Sequence, residues 1–224
     1  MSAASASLDQ FRSAAATDTG LLRDHNEDRY WIDTERGVFL VVDGVGGHAA
    51  GELAAQTAVE TIRELLIGAA GDVASVPDLV AGSSPTPPEQ RVRAAIAAAN
   101  NRIFEVAAHD VKLKGMACVL TLAIVEEGQI TIGHVGDSRL YLIWNGAIRK
   151  MTSDHSPVGQ DEDAGELTEQ EAMRHPRRNE VFRDVGTALR APGDEGFIEV
   201  RKCRFHRDAA ILICSDGLTD HLSA

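Results

Sequence analysis

The sequence predicts an α+β domain built around an antiparallel sheet. Three observations lead there. A β-rich apolar run is followed by two long segments with helical spacing, and then by a series of short β-rich runs. Those later runs are joined by very short links, which suit antiparallel neighbours; a parallel pair needs a long crossover. Asn145-Gly146 is a two-residue hairpin signal of type I′. The order of elements does not match a doubly wound βαβ fold, and no internal repeat is visible.

Taken in order, residues 1–16 (MSAASASLDQFRSAAA) have no basic start and no apolar h-region, so they do not read as a signal peptide. They are expected to form a flexible N-terminus ahead of a domain spanning 17–224. Val38–Val42 is a β-branched run ending in Asp43, and Gly44, Gly46 and Gly47 punctuate the turn after it. From about Gly51, Ala54, Ala58, Ile62 and Leu65 recur at helical spacing. Residues 68–88 are rich in Gly, Ser and Pro and read as a surface connection. Val92, Ile96, Ala99, Ile103 and Val106 predict a second helix from about Pro88 to Ala108. Strands are expected at Cys118–Val125, Ile130–Val135 and Arg139–Trp144, each an antiparallel neighbour of the next. A polar, acidic stretch at 153–166 begins a small flap-like insert near 153–180. Thr168 to Glu171 is a capping box opening a short helix. Two further strands, Phe197–Cys203 and Ala209–Cys214, lead to Asp216-Gly217.

Composition narrows the function. At roughly 100–200 residues per domain, 224 residues make one large domain or at most two small ones. Lys and Arg number 22 against 34 Asp and Glu, a net charge of −12. A nucleic-acid footprint or an anionic membrane surface calls for the opposite sign, so neither is expected as a partner. No apolar run reaches the roughly 18 residues that would span a bilayer. Three scattered cysteines, Cys118, Cys203 and Cys214, make no disulfide framework and fit a reducing, cytoplasmic location.

Acidic residues recur at the ends of β-rich runs or beside glycine: Asn26-Glu27-Asp28, Asp43-Gly44, Gly136-Asp137-Ser138-Arg139 and Ser215-Asp216-Gly217. One Asp-Gly pair is ordinarily just a turn. Several convergent carboxylates repel one another and are tolerated together mainly when a cation neutralises them. All-oxygen ligands of this kind suit Mg²⁺ or Mn²⁺.

With Arg23 to Asp28, Asp43-Gly-Val-Gly-Gly-His48, Gly51-Glu52, Gly136 to Arg139, Thr152-Ser-Asp-His-Ser156 and Cys214 to Asp220 in this order, the chain resembles the PPM-type, or type 2C, metal-dependent serine/threonine protein phosphatases. It looks like their compact bacterial branch. The resemblance implies a two-sheet antiparallel β-sandwich flanked by helices, in four αββα layers. It implies hydrolysis of phosphoserine and phosphothreonine in proteins by a metal-activated water, with phosphorylated proteins and a cognate serine/threonine kinase as partners. By the same resemblance, Asp43 would bridge two Mn²⁺ or Mg²⁺ ions, joined by the Gly44 carbonyl. Glu27 would hold one ion with Asp28 ordering its waters, and Asp216 would hold the other. Asp137 would help bind a third, weaker ion, and Arg23 would grip the substrate phosphate. The family's closing strand carries a further Asp-Asn pair. This chain is expected to be C-terminally truncated before it, and therefore weakly active. The family's usual Gly-Thr-Thr is replaced by Gly115-Met-Ala-Cys-Val119, a change expected to touch local packing rather than ligands.

His48, in the glycine turn, is a candidate for tuning the metal site or giving a proton to the leaving oxygen. His155 and His175 are expected to make structural hydrogen bonds. His25, His109, His134, His206 and His221 show no metal-ligand spacing. Gly44 to Ala49 can be written as a dinucleotide fingerprint, but Asp43 would oppose a pyrophosphate and no acid-ended strand follows about 20 residues later. A cysteine phosphatase needs an arginine six residues after its cysteine; Ile124, Ala209 and Asp220 stand there instead. The remaining alternative is a catalytically impaired member serving as a phosphoprotein-binding or regulatory module.

Overall fold

A computed structural model of the chain describes residues 11–21, 23–47, 49–68 and 86–223. Most of the Pro-Gly-Ser connection, His48 and residues 1–10 lie outside them. The strands are β1 (Asp28–Asp33), β2 (Val38–Val45), β3 (Ala117–Glu126), β4 (Gln129–Val135), β5 (Arg139–Trp144), β6 (Ala147–Lys150), β7 (Glu199–Arg204) and β8 (Ala210–Cys214). The helices are α1 (Ala49–Gly68), α2 (Pro88–His109), α3 (Pro157–Asp163), α4 (Glu169–Ala172) and α5 (Asp216–Thr219). The strands form two antiparallel sheets, one ordered β1-β2-β3-β4-β7 and a smaller one ordered β6-β5-β8.

The core explains this layering. β3 is buried along nearly its whole length because it is covered on both faces. Cys118, Leu120, Leu122 and Ile124 face α1 and α2, while Ala123 and Val125 meet Leu140, Ile211 and Ile213 of the smaller sheet. Val92, Ile96, Ala99 and Ile103 of α2 are fully buried, as their spacing predicts. α1 presents mainly alanines, Ala54, Ala55 and Ala58, so it lies close against the sheet. The outer face of the smaller sheet meets the insert at one end, where Arg139 and Lys150 reach the acids of α3. At the other end Ile143, Ile148 and Leu212 are half-exposed. Phe11 packs edge-on against Phe39.

Some expectations hold and others are corrected. Asn145 and Gly146 both have positive φ, 51° and 75°, as a type I′ turn requires. The capping box is present: Glu171 Oε2 accepts from the Thr168 N–H at 2.8 Å, and Thr168 Oγ1 accepts from the Glu171 N–H. β1 was not expected; Asp28-Arg-Tyr-Trp-Ile-Asp33 is a half-buried edge strand with no clean alternation. α3 arises inside the polar stretch, capped by Ser156 with Pro157 in its first turn. The expectation that every short link joins sheet neighbours fails at one place. β4 and β5 are separated only by Gly136-Asp137-Ser138, yet lie in different sheets. Gly136, with φ of +109°, turns the chain from one layer to the other, and Arg139 then pairs with Cys214. The Met116-Ala117-Cys118 departure sits in the core; Cys118 exchanges two backbone bonds with Val185, at 3.0 and 2.8 Å.

Candidate active site

Four separate stretches bring acids to one edge of the sandwich. Asp28 opens β1 and stands directly opposite Asp43 on β2. Asp137 lies in the sheet-to-sheet turn after β4, and Asp216 follows β8, whose last residue pairs with the first of β5. The four carboxylates sense one another. Burial raises the Asp43 carboxyl far above the ordinary range, and Asp216, Asp28 and Asp137 push it further. Asp216 is raised by burial and then by Asp220, while Arg23 pulls it down. Asp137 is pushed up to about 7 by burial, Asp216 and Asp154. The exposed Arg23 is therefore near enough to act on this cluster.

Glu27 and Gly44 meet on the α1 side. The Gly44 N–H donates to the Glu27 carbonyl at 3.2 Å, and the Glu27 carboxylate lies against the Cα of Gly51 in α1. A Cβ at Gly51 would overlap both that carboxylate and the Gly44 peptide. Alanine favours a helix over glycine by about 1 kcal/mol, yet Gly51→Ala is expected to lower phosphopeptide turnover at least about tenfold by displacing Glu27. Unchanged turnover in a folded Gly51→Ala protein would contradict that. Asp28 is steadied by Ser215, whose hydroxyl donates to Oδ2 at 2.7 Å. Arg29 ties β1 to α1 through Glu52 at 2.6 Å.

His48 lies outside the described residues. Two residues to which the sequence reading assigns no role stand close by. Asp220 is the strongest charge acting on Asp216, and the Arg178 Nε of the insert donates to its Oδ2 at 3.1 Å. Its spacing of four from Asp216, one helical turn, is the signal that could have found it. His175 Nδ1 accepts from the Arg177 N–H at 3.2 Å.

The donors that the described residues offer at this edge are oxygens alone. Among the described residues, no three acidic, imidazole or thiol side chains stand close enough to form a ligand shell unaided. The half-buried Asp43–Asp216 pair nevertheless carries more negative charge than its surroundings offset, and both carboxyls are raised above the ordinary range, first by burial. Oxygen donors with an unbalanced charge fit Mg²⁺ or Mn²⁺; Mg²⁺ keeps several waters and needs only one or two carboxylates.

The chain is also similar to known proteins. The sequence model of the family described as protein phosphatase 2C matches residues 18–224. The serine/threonine phosphatase stp of Listeria monocytogenes is 34% identical over 209 residues, covering 91% of this chain and 76% of that protein. The structure of serine/threonine phosphatase Stp1 from Staphylococcus aureus superposes with a TM-score of 0.75 at 31% identity, over 92% of this chain and 76% of that one. The catalytic domain of the serine threonine protein phosphatase PstP, solved in complex with 2 manganese ions, superposes with a TM-score of 0.71 at 30% identity, over 94% of this chain and 79% of that one.

Proposed function

Because the chain belongs to the protein phosphatase 2C family, we infer that it removes phosphate from phosphoserine and phosphothreonine in proteins, in a metal-dependent hydrolysis. The observation that carries the reading to this chain's own residues is the half-buried cluster of Asp28, Asp43, Asp137 and Asp216, with Asp28, Asp137 and Asp216 all repelling Asp43, beside Arg23. Asp43, Asp216, Glu27 and the Gly44 carbonyl would hold two Mn²⁺ or Mg²⁺ ions, and Asp137 would contribute to a third. When bound, such ions supply a strong oxygen nucleophile near neutral pH and offset phosphoryl charge.

The protein's part is position and charge. Asp28, fixed by Ser215, orders water at the site. Arg23 grips the phosphate, for which a planar guanidinium fork suits better than an ammonium. No side-chain nucleophile is required. His48 remains the candidate proton donor to the serine or threonine oxygen. Among the described residues no helix is long and apolar enough to cross a membrane, and the three cysteines are unpaired; we place the enzyme in the cytoplasm, opposing a serine/threonine kinase.

The direct test is hydrolysis of a phosphothreonine peptide with Mn²⁺ or Mg²⁺, with and without EDTA. Turnover is expected only with the free ion, and full activity in excess chelator would overturn the metal reading. Binding of the peptide without turnover, at saturating Mn²⁺, would favour the regulatory module instead.

A further inference from the structure

The Thr152-Ser-Asp-His segment has no part in the chemistry above, yet it is bonded residue by residue to the turn that carries Asp137. Leu140 N–H donates to Thr152 Oγ1 at 3.1 Å. Arg139 Nε and Nη2 donate to the Asp154 carboxylate at 2.6–3.1 Å. His134 Nε2 donates to the Ser153 carbonyl at 3.1 Å; its Nδ1 then accepts from the Thr121 hydroxyl at 2.9 Å, and Thr121 Oγ1 accepts from Ser138 Oγ at 2.8 Å. At the near end, both backbone groups of Gly136 go to His155: the Gly136 N–H donates to Nδ1 at 3.0 Å, and its carbonyl accepts from the His155 N–H at 2.7 Å. Residues 136, 138, 139 and 140 are thus each secured, and the Asp137 side chain is left to face Asp216.

The His155 ring is itself held rigidly. It is 4% exposed, lies 4.8 Å from the His134 ring, and with Nδ1 accepting from Gly136 its Nε2–H points at Glu199 Oε2, 3.3 Å away. The left-handed backbone of Gly136 leaves no room for a side chain, because a Cβ would overlap Val119. A residue whose own N–H and C=O are both held by one buried neighbour, and so both peptides flanking its Cα, passes any movement of that neighbour directly to the next Cα.

We propose that His155 is a positioning residue: it fixes the Gly136 peptide and so aims the Asp137 carboxylate at the ion site it shares with Asp216. The inference rests on the reading of Asp137 as an ion ligand. Partners that orient a ligand without touching the ion commonly control affinity by about 10–100-fold.

The experiment titrates the whole chain with Mn²⁺ alone and follows free ion by electron paramagnetic resonance. It compares the unsubstituted protein with Asp137→Asn, His155→Leu, the double variant and His155→Asn. Asp137→Asn and His155→Leu are each expected to weaken the loosest Mn²⁺ by about 10–100-fold. The double variant is expected to bind no more weakly than Asp137→Asn, since His155 acts only through that carboxylate. His155→Asn should recover most of the affinity, because its Oδ1 can take the Gly136 N–H. If Asp137→Asn leaves Mn²⁺ binding unchanged, the ligand reading fails, and this inference with it. If Asp137→Asn weakens binding but folded His155→Leu does not, or the two effects add, the positioning role alone is overturned. Should His155→Leu not fold, His155→Asn is compared with His155→Gln, whose oxygen reaches the Nε2 position instead; equal affinity in those two overturns it as well.

Discussion

Replacing Asp43 by asparagine is expected to cut phosphopeptide turnover by about a thousandfold or more, while making the ion-free protein more heat-stable. The two effects share one cause. Asp43 lies on β2 opposite Asp28 and is held well above the ordinary carboxylate range by burial first and then by Asp216, Asp28 and Asp137. A carboxyl whose folded pKa is raised binds protons more tightly in the folded state. Its cost to stability is therefore absent below the unfolded value of about 4 and grows as pH rises toward the folded value. Asparagine has no charge to bury, so the decline in stability above about pH 4 should flatten in the variant. An ion, however, is worth several kcal/mol of transition-state stabilisation, and a neutral amide cannot hold two cations together. Thermal melts from pH 5 to 9, with and without Mn²⁺, separate the contributions. The unsubstituted protein should melt higher with Mn²⁺, and Asp43→Asn should show no such shift. A variant that kept a tenth of the activity and the full Mn²⁺ shift would mean that Asp43 is not the bridging group.

Arg139→Ala is expected to destabilise the fold by about 3–5 kcal/mol, the usual cost of stripping one partner from a buried ion pair. The Arg139 side chain is 9% exposed and the Asp154 side chain 6%. Arg139 makes three bonds to Asp154, reaches Glu162 at 2.9 Å, and donates to the Tyr141 hydroxyl at 3.3 Å. Without it, Asp154 is left in a setting that already raises its pKa through burial, with Lys150 as the nearest cationic relief. Glu162 loses a partner too, so α3 should loosen from the smaller sheet and its amides exchange faster. Urea unfolding measures the loss. Removing both charges with Arg139→Met and Asp154→Leu should recover a large part of it, since an unpaired buried charge costs more than an apolar pair. A loss under about 1 kcal/mol for Arg139→Ala would mean that water reaches the cluster.

Much of this protein was written locally. Helical spacing in α1 and α2, β-branched runs in β2, β3 and β4, and the paired positive φ of Asn145-Gly146 depend on neighbours a few residues away, and there the sequence and the structure agree. Asp43, Asp137 and Asp216 were legible for the same reason, each beside a glycine next to a β-rich run; Glu27 and Asp28 were picked out with the family's ordered motifs. That Asp43, Asp137 and Asp216 face one another is a different kind of fact, because it depends on which strands are neighbours. Gly136-Asp137-Ser138 looks like a hairpin link, and only the pairing of β5 with β8 turns it into a passage between sheets. β1 stayed hidden because an edge strand with one half-buried face need not alternate cleanly. α3 starts from a local signal, the Ser156 cap with Pro157, but that its Glu162 docks on Arg139 and Lys150 of the smaller sheet is decided by packing. Periodicity records which face of an element is apolar. Which partner covers that face, and which charge offsets which, is decided by long-range packing, where each group must find its complement or bear the cost of burial alone.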